Sequence, residues 1–180
     1  MITRRFIAQA TALACLAFLQ GVPVGAAENP GAIKVGSEVT LAADGPGGRT
    51  RDNGGAAYGG DVFLVTWHEG VAIRDGVSRV VAARISADGK LLDEKPIDLG
   101  LGNGGLQEHP RVAFCAGVFL VVWQEFNGTD MDVLGVRVAP DGKVLDTRPI
   151  AIAVGPRTQV LPDVTASDKI SDSILCCNGH

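Results

Sequence analysis

Two Trp-x-Glu triplets, Trp67-His68-Glu69 and Trp123-Gln124-Glu125, hold the residues best suited to chemistry in this chain. Two carboxylates set across a sugar can act as acid and as nucleophile or base in glycoside hydrolysis. An indole beside them can carry the apolar face of a ligand. Such a dyad forms only if the two segments face each other. Tryptophans at matched positions of a repeat serve more often in a core or between packed units. Trp67, Glu69, Trp123 and Glu125 are therefore the candidate ligand-facing residues, and no residue is assigned a catalytic role.

The other signals reduce to turns and tails. Gly100-Leu-Gly-Asn-Gly-Gly105 fits G-x-G-x-x-G, but a dinucleotide site needs that motif between a strand and a helix, and Pro110 and another apolar run follow within a few residues. Asp130 and Asp132, with Asn127 and Thr129, offer hard oxygens of the kind calcium takes. The run is too short for an EF-hand, and the matching stretch 70–76 has Asp75 as its one acid. His68, His109 and His180 show no metal spacing, and no Gly-x-Ser-x-Gly elbow is present. No cofactor and no metal are expected. A net charge of −4 without a basic surplus argues against a nucleic-acid partner.

The N-terminus reads as an address. Met1-Ile-Thr-Arg-Arg5, an apolar stretch from Phe6 to Leu19 and a small-residue exit ending Gly25-Ala-Ala27 make a secretory signal peptide over 1–27. The apolar stretch falls short of the ~20 residues of a membrane span, so no stable insertion is expected after cleavage. Thr3-Arg-Arg-Phe6 also fits a twin-arginine start, which leaves the twin-arginine and general secretory routes both open. Loss of Arg4 and Arg5 with this segment takes the net charge from −4 to −6. Cys115, Cys176 and Cys177 remain. An odd number cannot pair completely within one chain, and Cys115 with one tail cysteine is the candidate disulfide in an oxidising compartment.

The elements that must position these residues are strands. Apolar residues at 46% exclude a disordered chain, and 24 glycines with 9 prolines call for many turns rather than a helical bundle. Phe63-Leu-Val-Thr-Trp67 recurs as Phe119-Leu-Val-Val-Trp123, and the run Arg84 to Ile97 recurs as Arg137 to Ile150 with eight of fourteen positions identical. Gln107 and Pro110 return as Gln159 and Pro162. Each copy reads as four short strands: in the second, 111–114, 118–125, 132–139 and 143 to about 153, with Asp141-Gly142 as the hairpin turn before the last. Asp88-Gly89 is its counterpart. Glu38-Val-Thr-Leu-Ala42 aligns with the fourth strand, Pro149–Ala153.

The expected organisation is a signal peptide (1–27), an N-terminal segment (28–52) with a lone outer strand at about 36–43, repeat units at 53–105 and 106–158, and a third start with a divergent tail (159–180). The fold class is all-β: tandem four-stranded antiparallel meanders like β-propeller blades, incomplete at about two blades. A β-sandwich or a stack of meanders is the structural alternative. The third aromatic strand is due near Ser171, where the chain reads Ile170-Ser-Asp-Ser-Ile-Leu-Cys-Cys-Asn-Gly-His180 instead. Propellers usually have four or more blades. Two units imply either several copies completing a ring or a truncated or frameshifted fragment of a longer repeat protein without independent function.

The pattern Phe-Leu-Val-Val-Trp, an acidic stretch, Gly-x-Arg-Val, then Asp-Gly-Lys-Val-Leu-Asp and Pro-Ile resembles a repeat of exported bacterial proteins, over about residues 36–166. The resemblance implies tandem propeller-like domains, mostly of unknown activity. The functional expectation is an exported (periplasmic or extracellular), non-catalytic binding or structural protein. Its partner is an unknown extracellular ligand or further copies of itself. The enzymatic alternative is a carbohydrate-active hydrolase on a propeller scaffold, an analogy of fold.

Overall fold

The computed structural model describes residues 37–41, 49–71, 77–101, 105–167 and 174–179. The expected signal peptide, residues 1–27, lies outside them. The chain divides into compact units 1–38 and 39–180, and the fold below is that of the second.

Strands β1 (Arg49–Gly59), β2 (Val62–Val71), β3 (Ser78–Ser86) and β4 (Ile97–Asp98) form one antiparallel sheet in sequence order. Strands β5 (Gln107–Cys115), β6 (Val118–Phe126), β7 (Met131–Val138) and β8 (Ile150–Ala153) form a second in the same order. A third sheet pairs β9 (Gln159–Thr165) with β10 (Ile174–Gly179). The protein is all-β, in blade-like meanders, with no helix among the described residues.

Turn chemistry sets the registers. Gly60 and Asp61 (φ 56° and 65°) join β1 to β2, and Ala116 and Gly117 (50° and 82°) join β5 to β6. Two successive positive φ values make the two-residue turn whose twist suits paired strands. The Asp-Gly turns behave as expected, with Gly89 at 85° and Gly142 at 88°.

Beyond those turns the fourth strand starts later than the expected residue 143. Val138 bridges Val144 and Ile85 bridges Leu91, but β8 and β4 begin only at Ile150 and Ile97. The reason is a side chain in the ladder. Leu145 N donates to Arg137 O at 2.9 Å, yet the Arg137 N–H goes to Asp146 Oδ2 at 2.7 Å. Leu92, Arg84 and Asp93 repeat this at 3.0 and 2.7 Å. Pro96 and Pro149, which lack an N–H, precede the returning strands.

One further expectation is corrected. The lone outer strand at 36–43 is not formed at its described residues 37–41, which are irregular. Such a strand needs a third strand to pair with in the last sheet, which has two among the described residues. Within the divergent tail, β10 pairs with β9 from Ile174↔Thr165 to Gly179↔Gln159, near the place where an aromatic strand was due.

Period-two alternation gives each sheet two faces. Phe119, Val121, Trp123, Val136 and Val138 form one face of the second sheet. They pack on Leu64, Val80, Ala82 and Leu99 from the opposite face of the first, all wholly buried. The other face of the second sheet, with Ala113, Val122 and Val133, receives Val164 of β9. The second and third sheets thus lay what we term their fronts on the back of the sheet before them.

Candidate functional site

Glu125 and Trp123, two apart on β6, point to the front of the second sheet. Trp123 is fully buried there and its Nε1 donates to Glu125 Oε2 at 2.9 Å. Gln107 lies opposite Glu125 in the β5–β6 register, and its Nε2 donates to the same oxygen at 2.9 Å. Gln107 reaches back to the first sheet as well. Its Oε1 accepts from Val80 N at 3.0 Å, its backbone O accepts from Ser78 Oγ at 2.6 Å, and its N donates to Ser78 Oγ at 3.0 Å. Gln107 is wholly buried, so these bonds satisfy groups that would otherwise be costly. The carboxylate closes a joint between sheets.

Glu69 and Trp67 occupy the matching places on β2. Arg51 stands opposite Glu69 where Gln107 stands opposite Glu125. Glu69 is buried, and Oε1 accepts from Arg79 Nε at 3.0 Å and Nη2 at 2.5 Å, with Arg51 Nε 3.7 Å from Oε2. Arg79 is exposed and also stands 3.8 Å from Asp98. Here the indole differs: Trp67 Nε1 is buried without a hydrogen-bond partner. The two carboxylates are not brought together as a dyad. Each sits on the front of its own sheet among its own donors.

The run Arg-x-x-x-Asp-Gly-Lys-x-Leu-Asp is a folding clamp. Arg84 Nη2 meets Asp93 Oδ1 at 2.6 Å, and Arg137 Nη2 meets Asp146 Oδ1 at 2.6 Å, with both Nε groups also bonded to their carboxylates. Hydrogen bonding to Asp93 holds the Arg84 guanidinium above its ordinary pKa, and Asp146 does the same for Arg137. The Arg137 side-chain hydrogen bond holds the Asp146 carboxyl below the usual carboxylate value. Arg84 Nη1 further donates to Pro140 O at 3.3 Å, tying one clamp to the next sheet.

The residue between each Trp and Glu meets the following unit's innermost strand. The His68 and His109 rings lie 6.4 Å apart, while Gln124 Oε1 accepts from Leu161 N at 3.0 Å and its Nε2 donates to Glu108 at 3.3 Å. His109 and Leu161 share a positive φ of 53°, each directly before a proline.

The acidic loop organises itself: Asn127 Oδ1 accepts from Thr129 N and Asp130 N at 2.9 Å, and Asn127 Nδ2 donates to Asp132 at 2.9 Å. No group of three or more His, Cys, Asp or Glu capable of holding a metal occurs among the described residues. Cys115 ends β5 opposite Val118, and Cys176 falls opposite Asp163 in the β9–β10 register. The side chains of Cys176 and Cys177 lie outside the described residues, as does His180.

Sequence reasoning missed Arg51, Arg79 and Ser78. The return of Gln107 as Gln159 was a signal for the joint; Arg51 was concealed because the first copy carries a different residue type at that place.

No protein-family profile matches the chain, and no curated protein aligns with it. Among solved structures, it is similar to a protein from Parabacteroides distasonis assigned as a glycoside hydrolase, with a TM-score of 0.50 at 13% identity. The match covers 71% of this chain and 42% of the other, so this chain spans about two fifths of that protein's length. At this identity the likeness is one of fold. No helix among the described residues is long and apolar enough to cross a membrane.

Proposed function

We propose that this chain is an exported, non-catalytic repeat scaffold, one of the bacterial proteins built from tandem blade-like units, and that it works by binding. One observation carries the reading: the residues best suited to chemistry are engaged in holding the structure together, Glu125 at a joint between sheets and Glu69 between strands of its own sheet. Glu125 takes donors from Trp123 and Gln107, and Glu69 takes them from Arg79. A hydrolytic pair needs one carboxyl free to protonate the leaving oxygen and a second across the sugar. Glu69 and Glu125 instead occupy the same face of successive sheets. Contacts with a partner would fall to exposed strand-joining loops and to uncovered sheet faces.

The fold likeness to the Parabacteroides protein supports a second reading, a carbohydrate-active hydrolase. Incubation of the purified chain with a panel of oligosaccharides separates the two. The scaffold reading expects no released reducing ends. Turnover that disappears in Glu69→Gln or Glu125→Gln while the far-ultraviolet spectrum is retained would overturn it.

A further inference from the structure

We infer that the outer edge of β10 is a strand-addition site: it takes an extended protein segment, apolar at alternate positions, as the third strand of its sheet. The inference rests on the scaffold reading and names the class of its partner. The first two sheets each run to four strands, with β3 beyond β2 and β7 beyond β6. β10 holds the matching second place in its own sheet, and no strand lies beyond it among the described residues. One side of its backbone is paired with β9. The other presents N–H and C=O groups that an incoming strand can pair.

This edge is also unguarded. Proteins blunt exposed edges with very short strands, charged residues, prolines or bulges. The outer strands of the first two sheets follow that rule: β4 has two residues and β8 four, and Pro96 and Pro149 stand just before them. β10 has six, Ile174-Leu-Cys-Cys-Asn-Gly179, with neither charge nor proline. The register shift in this sheet falls where Leu161 and Pro162 of β9 stand against Cys177. The extra residue is therefore in β9, and β10 continues without a bulge of its own.

The second sheet shows what fits such a place. β7, Met131–Val138, carries Val136 and Val138 wholly buried on its front, Leu134 half-buried beside them and Arg137 exposed between them. A segment of this kind on β10 would set its apolar residues beside Val164, in the core with Ala113, Val122 and Val133. Leu120, Ile152 and Ala153 are only partly buried at the margin of that core. Backbone pairing supplies the affinity and the alternate side chains the selectivity. β3 and β7 are tied into their own sheets, so the occupant is a segment of another protein rather than of a second copy.

The probe is a fluorescein-labelled synthetic peptide of residues 131–138, titrated with the full chain and followed by fluorescence anisotropy. Saturable binding at micromolar concentrations is expected. Two N-methylated peptides separate strand addition from apolar adsorption: one is methylated on the amides of Asp132, Leu134 and Val136, the other on those of Val133, Gly135 and Arg137. Alternate amides of a strand point to opposite edges, so one set should weaken binding about tenfold or more and the other leave it nearly unchanged. Amide exchange should slow at β10 when the unmodified peptide is added, and not in the first sheet. No saturable binding, equal loss with both methylated sets, or protection confined to other strands would overturn the inference. A doubled mass without peptide, blocking peptide uptake, would assign the edge to a second copy and overturn it too. Glycan turnover by a peptide-binding chain would overturn the scaffold reading and leave the strand site standing, whereas absence of both turnover and peptide binding would overturn the strand site alone.

Discussion

Replacing Glu125 by alanine removes the one acceptor shared by two buried donors, Trp123 Nε1 and Gln107 Nε2. Both donor residues are wholly buried, so water reaches them only from the half-buried edge that Glu125 occupies. Leaving a buried donor unsatisfied costs about 1–3 kcal/mol, which puts Glu125→Ala at about 2–6 kcal/mol for the pair. Glu125→Gln keeps one carbonyl oxygen in the same place and loses only the charge assistance, a cost of roughly 1–2 kcal/mol. Domains of ordinary stability hold about 5–15 kcal/mol in total, so the alanine variant should be close to unfolding and the glutamine variant comfortably folded. Urea unfolding followed by far-ultraviolet circular dichroism measures both. Glu125→Ala within 1 kcal/mol of the native chain, or Glu125→Gln as damaging as Glu125→Ala, would refute the joint between the sheets.

Three other outcomes follow from the same geometry. Phe119→Ala empties a fully buried place between the sheets and should cost about 3–5 kcal/mol, whereas Phe63→Ala, at the open matched place, should cost under about 1 kcal/mol in the isolated protomer; paired chemical denaturation at low concentration checks the contrast. The Asp146 carboxyl is held low by Arg137, so its contribution is complete above the unfolded carboxylate value and lost as pH falls through the lower folded value, below about pH 4. Thermal midpoints from pH 6 to pH 2 should therefore fall less steeply at the acid end for Asp146→Asn, and an unchanged slope would count against the clamp. Gly142→Ala should destabilise more than Gly89→Ala: both sit near φ 85°, but a Cβ at 142 would stand 2.8 Å from Arg84 Nε while one at 89 meets nothing within 4 Å. Melting of the two variants side by side decides this.

Much of the local architecture was legible because it depends on short-range rules. Alternating apolar residues and the Asp-Gly pairs marked the strands and their turns, since side chains alternate faces with period two and glycine accepts positive φ. The recurrence of Arg84–Ile97 as Arg137–Ile150 marked a repeated hairpin, but not the Arg–Asp clamp inside it. The late start of β4 and β8 was not legible. It depends on Asp93 and Asp146 displacing a backbone acceptor, a contest between a carboxylate and the next strand that spacing alone leaves undecided.

The sequence by itself determined an all-β chain of repeated strands, and it marked Trp67, Glu69, Trp123 and Glu125 as matched residues. Tertiary structure alone decided their different circumstances. Trp123 lies between two sheets with its indole bonded, while Trp67, on the same face one unit earlier, keeps a buried donor without an acceptor. The physical reason is that burial depends on what lies across a face. The matched residues Phe119 and Phe63 therefore become core in one sheet and exposed in the other, according to what packs against them.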